Sequence, residues 1–361
     1  MTGKQKRLNN YNEDSDTINM KEDSDLQLSI IVPVYNVEKY IRACMESIFK
    51  QGLDEKTFEV IIVNDGSTDR SMEVIQDIIS QHANITVINQ ENLSVSVARN
   101  KGIAIAKGEY ILMPDSDDLL IENSLKPLLE KALETKVDLV VADFLEIEDK
   151  DMSKFTGVVQ KEFSVQEKTG QLLFLEDLNP CQCYIWRTLF RREFLHDNHI
   201  RFISGIYLQD VPFTHKCYLN AQRCLRTTWL LNIYRKNRPG AATTFFNVEK
   251  SRSYSIAMDA TWNLRMIMGL SPDVLYKLEE DVYMTFTAMV YHTIYMLKKR
   301  GDRHKVFDIL KFEAPQLDFT HGTKQKVTSF MIRHLPYLYI DLFYLYGQLV
   351  YRKVWKIWAR Q

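Results

Sequence analysis

The sequence predicts an α/β fold: a mostly parallel sheet with helices on both faces, followed by a mainly helical C-terminal region. Three observations carry that expectation. Between Leu28 and Phe144, short apolar runs alternate with stretches of helical spacing. Several of those runs end in loop residues of one kind of chemistry: Val34-Tyr35-Asn36, Asp65-Gly66-Ser67 and Asp115-Ser116-Asp117-Asp118. From residue 252 to 300 the pattern turns to a helical repeat rich in Met and aromatics.

The first run, "LSIIVPVYN", is continuous and apolar, as a parallel strand buried on both faces should be. In "VEKYIRACMESIFKQG", Val37, Tyr40, Ile41, Cys44, Ile48 and Phe49 recur at helical spacing, and Gly52 ends the helix. "FEVIIVNDGSTD" is a strand entering a polar turn, "RSMEVIQDIISQH" a helix and "NITVINQ" a third strand. "SVSVARNKGIAIAKG" is a helix ending at Gly108, and "EYILMPD" a fourth strand. "IENSLKPLLEKALETK" is a helix that tolerates Pro127 in its first turn, and "VDLVVADF" a fifth strand. Right-handed crossovers put the strand ends on one edge, where ligands of such sheets bind. Beyond residue 145 the pattern loosens. Residues 150–168 are charged and weakly periodic, "YIWRTLFRREFLHDNHIRF" is aromatic, basic and helix-like, and "YLQDVPFTHKCYLNA" reads as a loop entering a helix.

With 361 residues, the chain suits one large domain with an appendage, or two domains. A formal net charge of -1 gives no field for nucleic acid. Five scattered cysteines fit packing thiols in a reducing compartment, and Cys181-x-Cys183 lacks a second pair at zinc spacing. Residues 1–26 are polar, without an apolar leader core or periodicity, so a disordered lead-in is expected. No apolar run approaches the roughly 20 residues of a spanning helix.

The chemistry concentrates in "YILMPDSDDLL", where Asp115, Asp117 and Asp118 crowd the end of a strand. Like charges this close need a cation. Carboxylates beside substrate phosphates are the usual setting of Mg²⁺ or Mn²⁺. The plainer alternative is a solvated turn capping the next helix. Asp65, at the end of another strand, tilts the reading toward a nucleoside diphosphate with a divalent metal.

Four segments, "LSIIVPVYNVEKYIRACMESIFKQ", "FEVIIVNDGSTDRS", "ARNKGIAIAKGEYILMPDSDD" and "YLQDVPFTHKCYL", together resemble family 2 glycosyltransferases of the nucleotide-sugar fold called GT-A. The likeness covers residues 28 to about 245 and is strongest over the first 120 of these. It implies that Val34, Tyr35 and Asp65 hold the nucleobase, usually uracil, that Arg99 stands beside the base or diphosphate, and that Asp115 approaches the ribose. Asp117 would bind the metal, and Asp210 would be the catalytic base of an inverting transfer. Trp186 and Gln209 would face the acceptor, and Arg235 and Arg238, in the segment Tyr234 to Thr244, the diphosphate or acceptor. The implied partners are a nucleotide-sugar donor, UDP-linked, and a glycan or lipid-linked acceptor in surface polysaccharide synthesis.

Two departures stand out. Where the family commonly carries a Gly pair before Ala-Arg-Asn, this chain has Leu93 and Ser94; where it usually has Glu before the base, this chain has Gln209. They leave open a catalytically silent nucleotide-sugar-binding subunit. A sugar nucleotidyltransferase would show a Gly-rich basic loop after the first strand, and "PVYNVEKY" has no glycine.

The expected organisation is a catalytic domain over 27–245, with a nucleotide half to 145 and an acceptor half from 146, then a helical region over 246–361. Residues 322–361 hold seven Lys or Arg, among them Arg352, Lys353, Lys356 and Arg360, against one acid, Asp341. Tyr and Trp residues, including Trp355 and Trp358, lie among them, which suggests docking on the inner face of a cell membrane from the cytoplasm. The alternative is that Leu338, Leu342, Leu345 and Leu349 pack this helix onto the catalytic domain.

Overall fold

The computed structural model describes residues 26–160, 162–180, 182–239 and 245–358, with the backbone alone for 350–358. All of the expected lead-in over 1–26 but Leu26, as well as Cys181, the stretch 240–244 and Arg360, lie outside the described residues, as do the side chains of Arg352, Lys353, Trp355, Lys356 and Trp358.

Nine strands form one sheet among the described residues. They are β1 (Leu28–Val34), β2 (Phe58–Asp65), β3 (Ile85–Gln90), β4 (Tyr110–Leu112), β5 (Leu119–Leu120), β6 (Leu139–Glu148), β7 (Gln166–Lys168), β8 (Thr188–Arg191) and β9 (Cys224–Lys236). β3, β2, β1 and β4 run parallel in that order. β8 then lies antiparallel between β4 and β6, β9 is parallel to β6, and β7 and β5 pair antiparallel with opposite ends of β9. The part of the sheet built by β1 to β4 is therefore parallel as expected, and the remainder is mixed.

Every residue of β1 is buried, which explains its unbroken apolar run. Leu28, Ile30, Val32 and Val34 enter one core with α1 (Ile41–Ile48) and α4 (Leu125–Thr135). Ile31 enters the opposite core, with α3 (Val95–Ile105), α5 (Gly170–Asp177) and α7 (Asp210–Asn220). "RSMEVIQDIISQH" forms a 3₁₀ turn and α2 (Gln76–Gln81).

The stretch expected to be helix-like at 184–202 is different. It forms a 3₁₀ turn, then β8, then the short helix α6 (Arg192–Asp197). Tertiary pairing overrides the local repeat here: Thr188, Leu189 and Phe190 are buried between β4 and β6, and Arg191 Nη2 donates to Asp138 at 2.6 Å. The fifth strand, β6, consequently neighbours β8 rather than β4, and it runs on to Glu148, across the expected boundary at 145.

The C-terminal helices are α8 (Val248–Asn263), α9 (Pro272–Met296), α10 (Arg300–Glu313), α11 (Gly322–His334) and α12 (Pro336–Trp358). They enclose their own core around Phe286, Phe307, Phe319, Tyr339 and Ile340. His215 of α7, fully buried, meets Asp281 of α9 at 3.2 Å and ties this region to the sheet domain. α12 packs on α9, α10 and α11. It does so through Tyr339 and Ile340, not through the leucines at 338, 342, 345 and 349, which are exposed. The packing alternative for those leucines is thus overturned: the helix has two apolar faces, and the aromatic one won the core. No helix among the described residues is long and apolar enough to cross a membrane.

Candidate active site

The C-terminal ends of β1, β2 and β4 lie on one edge and carry the site. Asn36 joins the first two ends, and Asn64 shapes the loop after β2. Asn36 Oδ1 accepts from Thr68 N at 2.8 Å, and Asn64 Oδ1 accepts from Ser67 N at 3.0 Å. Gly66 follows Asp65 at φ +72, and a Cβ there would stand 2.8 Å from Asn92 N, so only glycine fits. Val34 is fully buried, leaving its backbone to shape the edge, while Tyr35 beside it is exposed.

Asp65 is nearly buried, and its carboxylate is already engaged. Oδ1 accepts from Leu93 N at 2.8 Å and from Gln90 Nε2 at 2.6 Å, and Oδ2 accepts from Ser94 N at 3.1 Å. It holds the loop that opens α3. Ser94, at the second position of the missing Gly pair, has φ 98 and ψ 153. That is a glycine-type conformation, costly for any other residue. The two Asp65 bonds and a hydrogen bond from Gly205 N to Ser94 Oγ at 3.3 Å hold it there.

Arg99 is the hub. Its guanidinium, almost wholly buried, ion-pairs with Asp115 beyond β4 and reaches Asp210 Oδ1, at the first turn of α7, at 3.4 Å. It also lies over the Phe202 ring at 5.5 Å. Residues 111 positions apart in sequence, Arg99 and Asp210, are thereby joined. Burial pushes the Asp210 carboxyl above its ordinary range, and Arg99 opposes that shift. Burial likewise raises Asp115 to about 6, opposed by Arg99 and reinforced by Asp117 and Asp210.

Asp115, Asp117 and Asp118 each offer a carboxylate oxygen, all within 4.8 Å of one another. Asp118 is buried; Oδ1 accepts from Arg235 N at 2.8 Å, and Oδ2 has no hydrogen-bond partner among the described residues. Burial, then Asp117 and Asp115, raise its carboxyl to about 9. A buried carboxylate oxygen without a partner in a cluster of three acids fits a hard divalent cation. Asp117 pairs with Arg238. Arg235 donates from Nε to Asp117 O and from Nη1 to Asp149 Oδ1, both at 2.9 Å. Both arginines lie over the Tyr40 ring, at 4.8 and 5.5 Å.

Trp186 and Gln209 have less exposed places than their expected roles suggested. Trp186 is 2% exposed and stacked with Tyr184 and Tyr234. Gln209 is buried and accepts from Ser96 Oγ at 3.0 Å, linking α3 to the start of α7. Sequence reasoning missed Tyr40, Ser96 and Asp149 as parts of the site. Tyr40 was read as one more apolar position of α1, and nothing in the local sequence marks it as a platform for arginines.

Residues 29–197 match the family described as Glycosyl transferase family 2. Over these residues the chain resembles that family. It is 35% identical over 214 residues to the uncharacterized glycosyltransferase EpsJ of Bacillus subtilis, covering 58% of this chain and 61% of that protein. It therefore spans less than two thirds of that relative's length. Glycosyltransferase GlyG of Streptococcus pneumoniae is 29% identical over 260 residues, 69% of this chain and 83% of GlyG. Among solved structures, S. aureus TarS 1-349 in complex with UDP-GlcNAc aligns with a TM-score of 0.60 over 80% of each chain, at 21% identity. The sheet domain thus has a GT-A-like fold, and a helical region follows it.

Proposed function

We propose that the chain is an inverting glycosyltransferase that moves a sugar, hexosyl or N-acetylhexosaminyl, from a UDP-linked donor to a hydroxyl of a glycan or lipid-linked acceptor. The observation that carries this reading is Arg99. It is a buried cation shared between Asp115 on the donor side and Asp210 on the acceptor side. The base and the strand-end carboxylates are thus built as one unit. The TarS complex with UDP-GlcNAc supports the choice of donor.

In this reading Val34, Tyr35 and the loop gripped by Asp65 receive the base, and Asp115 the ribose. Asp117, with Asp115 and Asp118, would hold Mn²⁺ or Mg²⁺. When bound, the cation would neutralise charge on the departing diphosphate. Arg235 and Arg238 face the same charge from the β9 side. Asp210 takes the proton of the acceptor hydroxyl as its oxygen bonds to the anomeric carbon and the bond to the diphosphate breaks on the opposite face. A single base on one face inverts the centre, by the logic known for glycosidases. The raised Asp210 carboxyl brings its proton affinity toward the working range of a general base, a contribution of about 10²–10⁴-fold. Residues 27–245 form the catalytic domain of this proposal, with the helical region at the inner membrane face.

The test is Asp210→Asn. Donor binding by calorimetry stays as in the parent protein and transfer falls by about 10²–10⁴-fold. Parent-like turnover in the variant moves the base elsewhere.

A further inference from the structure

We propose that the outward face of α12, together with the cations where α9 meets α10, is a docking surface for an anionic lipid bilayer. This deepens the reading of a lipid-linked acceptor and rests on it for its purpose.

Leu338, Leu342, Leu345 and Leu349 fall within about 60° of one another around a helix of 3.6 residues per turn. They are 48 to 73% exposed. The opposite face is committed to the core. Tyr339 and Ile340 are buried there, and Gly347 lets α9 come so close that a Cβ would stand 3.3 Å from Ile294 Cδ1. The leucine line is thus left uncovered by the described residues, and four exposed leucines in a row mark an interaction surface.

Charge selects the occupant. Lys298, Lys299 and Arg300 are exposed at the α9–α10 junction. Arg300 reaches α12, where it donates to Asp341 Oδ2 at 2.6 Å, and His304 Nε2 lies 3.2 Å from the same carboxylate. Asp341 is the single acid among residues 322–361, against seven Lys or Arg, so the one negative charge of the segment is covered from within the fold. A helix with a leucine face and flanking cations lies in the headgroup plane of an anionic surface. A second copy of this chain would set Lys298, Lys299 and Arg300 against the same three cations, which argues against self-association through this face.

The experiment is co-sedimentation of the full chain at low salt with mixed phosphatidylglycerol–phosphatidylcholine vesicles and with phosphatidylcholine alone. The protein pellets with the anionic vesicles, and Leu342→Glu/Leu345→Glu lowers its partition by about tenfold or more. Lys298→Glu/Lys299→Glu, two exposed positions outside any core, weakens binding and flattens its salt dependence. Parent-like pelleting of both variants overturns the proposal. So does indifference of the parent protein to anionic vesicles, or a dimer in light scattering that the leucine variant dissolves. Transfer to a water-soluble acceptor is followed in parallel. Docking lost with transfer intact in the parent protein overturns this surface alone, and transfer absent with docking intact overturns the donor reading alone.

Discussion

Replacing Arg99 with glutamine removes the one charge that Asp115 and Asp210 share. The guanidinium Nη1 stands 3.4 Å from Asp210 Oδ1. Unit charges at that distance attract by about 5 kcal/mol at an effective permittivity of about 20. Asp210 retains 37% of its side-chain exposure, and Arg99 also serves Asp115. Solvent screening therefore leaves on the order of 1–2 kcal/mol, about one pH unit. The sign follows from the role proposed for Asp210. A general base works deprotonated, so kcat/KM falls as pH drops through its pKa. Burial already raises that pKa and Arg99 holds it down, so Arg99→Gln moves the acidic limb upward. The assay is kcat/KM against pH for both proteins, with circular dichroism to verify folding. An acidic limb that stays in place while the rate falls refutes the coupling of Arg99 to the base.

Ser94→Gly relieves a conformation that costs a side chain about 1–3 kcal/mol, and gives back about 0.5–1 kcal/mol in backbone entropy. The hydrogen bond from Gly205 N to Ser94 Oγ is lost with the side chain, at a cost of about 0.5 kcal/mol for an exposed bond, so the expected net is a gain of at most about 1 kcal/mol and a melting temperature up to about 2 °C higher; a lower one counts against strain at Ser94. Asp115 at about 6 and Asp118 at about 9 lie above the roughly 4 of an unfolded aspartate. Between those values the folded chain without metal binds more protons than the unfolded chain, so its stability falls as pH rises from about 4 toward 9. Metal binding needs the ionised carboxylates. Mn²⁺ should therefore raise the melting temperature more at pH 8 than at pH 5, and Asp117→Asn should lose most of that gain. Equal gains in parent protein and variant would remove Asp117 from the metal site.

The sequence by itself determined the parallel half of the sheet and the strand ends that carry the candidate site residues. A strand buried on both faces must be apolar throughout, and its loop must be polar, so β1, β2 and the acids after β4 were visible as pattern. Asp210 was visible for a different reason, as part of a motif. Tertiary structure decided what no local pattern encodes. β8 is a strand because a gap between β4 and β6 needed filling, although its neighbours in sequence repeat like a helix. Arg99, Asp115 and Asp210 form one unit because α7 returns to the edge that α3 left. Ser94 keeps a glycine-type backbone because Asp65 and Gly205 hold it, which composition alone reads only as a missing glycine. The two apolar faces of α12 are alike in the sequence. Only packing chose Tyr339 and Ile340 for the core and left the leucines outside, because burial depends on which face meets a partner, and periodicity counts faces without assigning them.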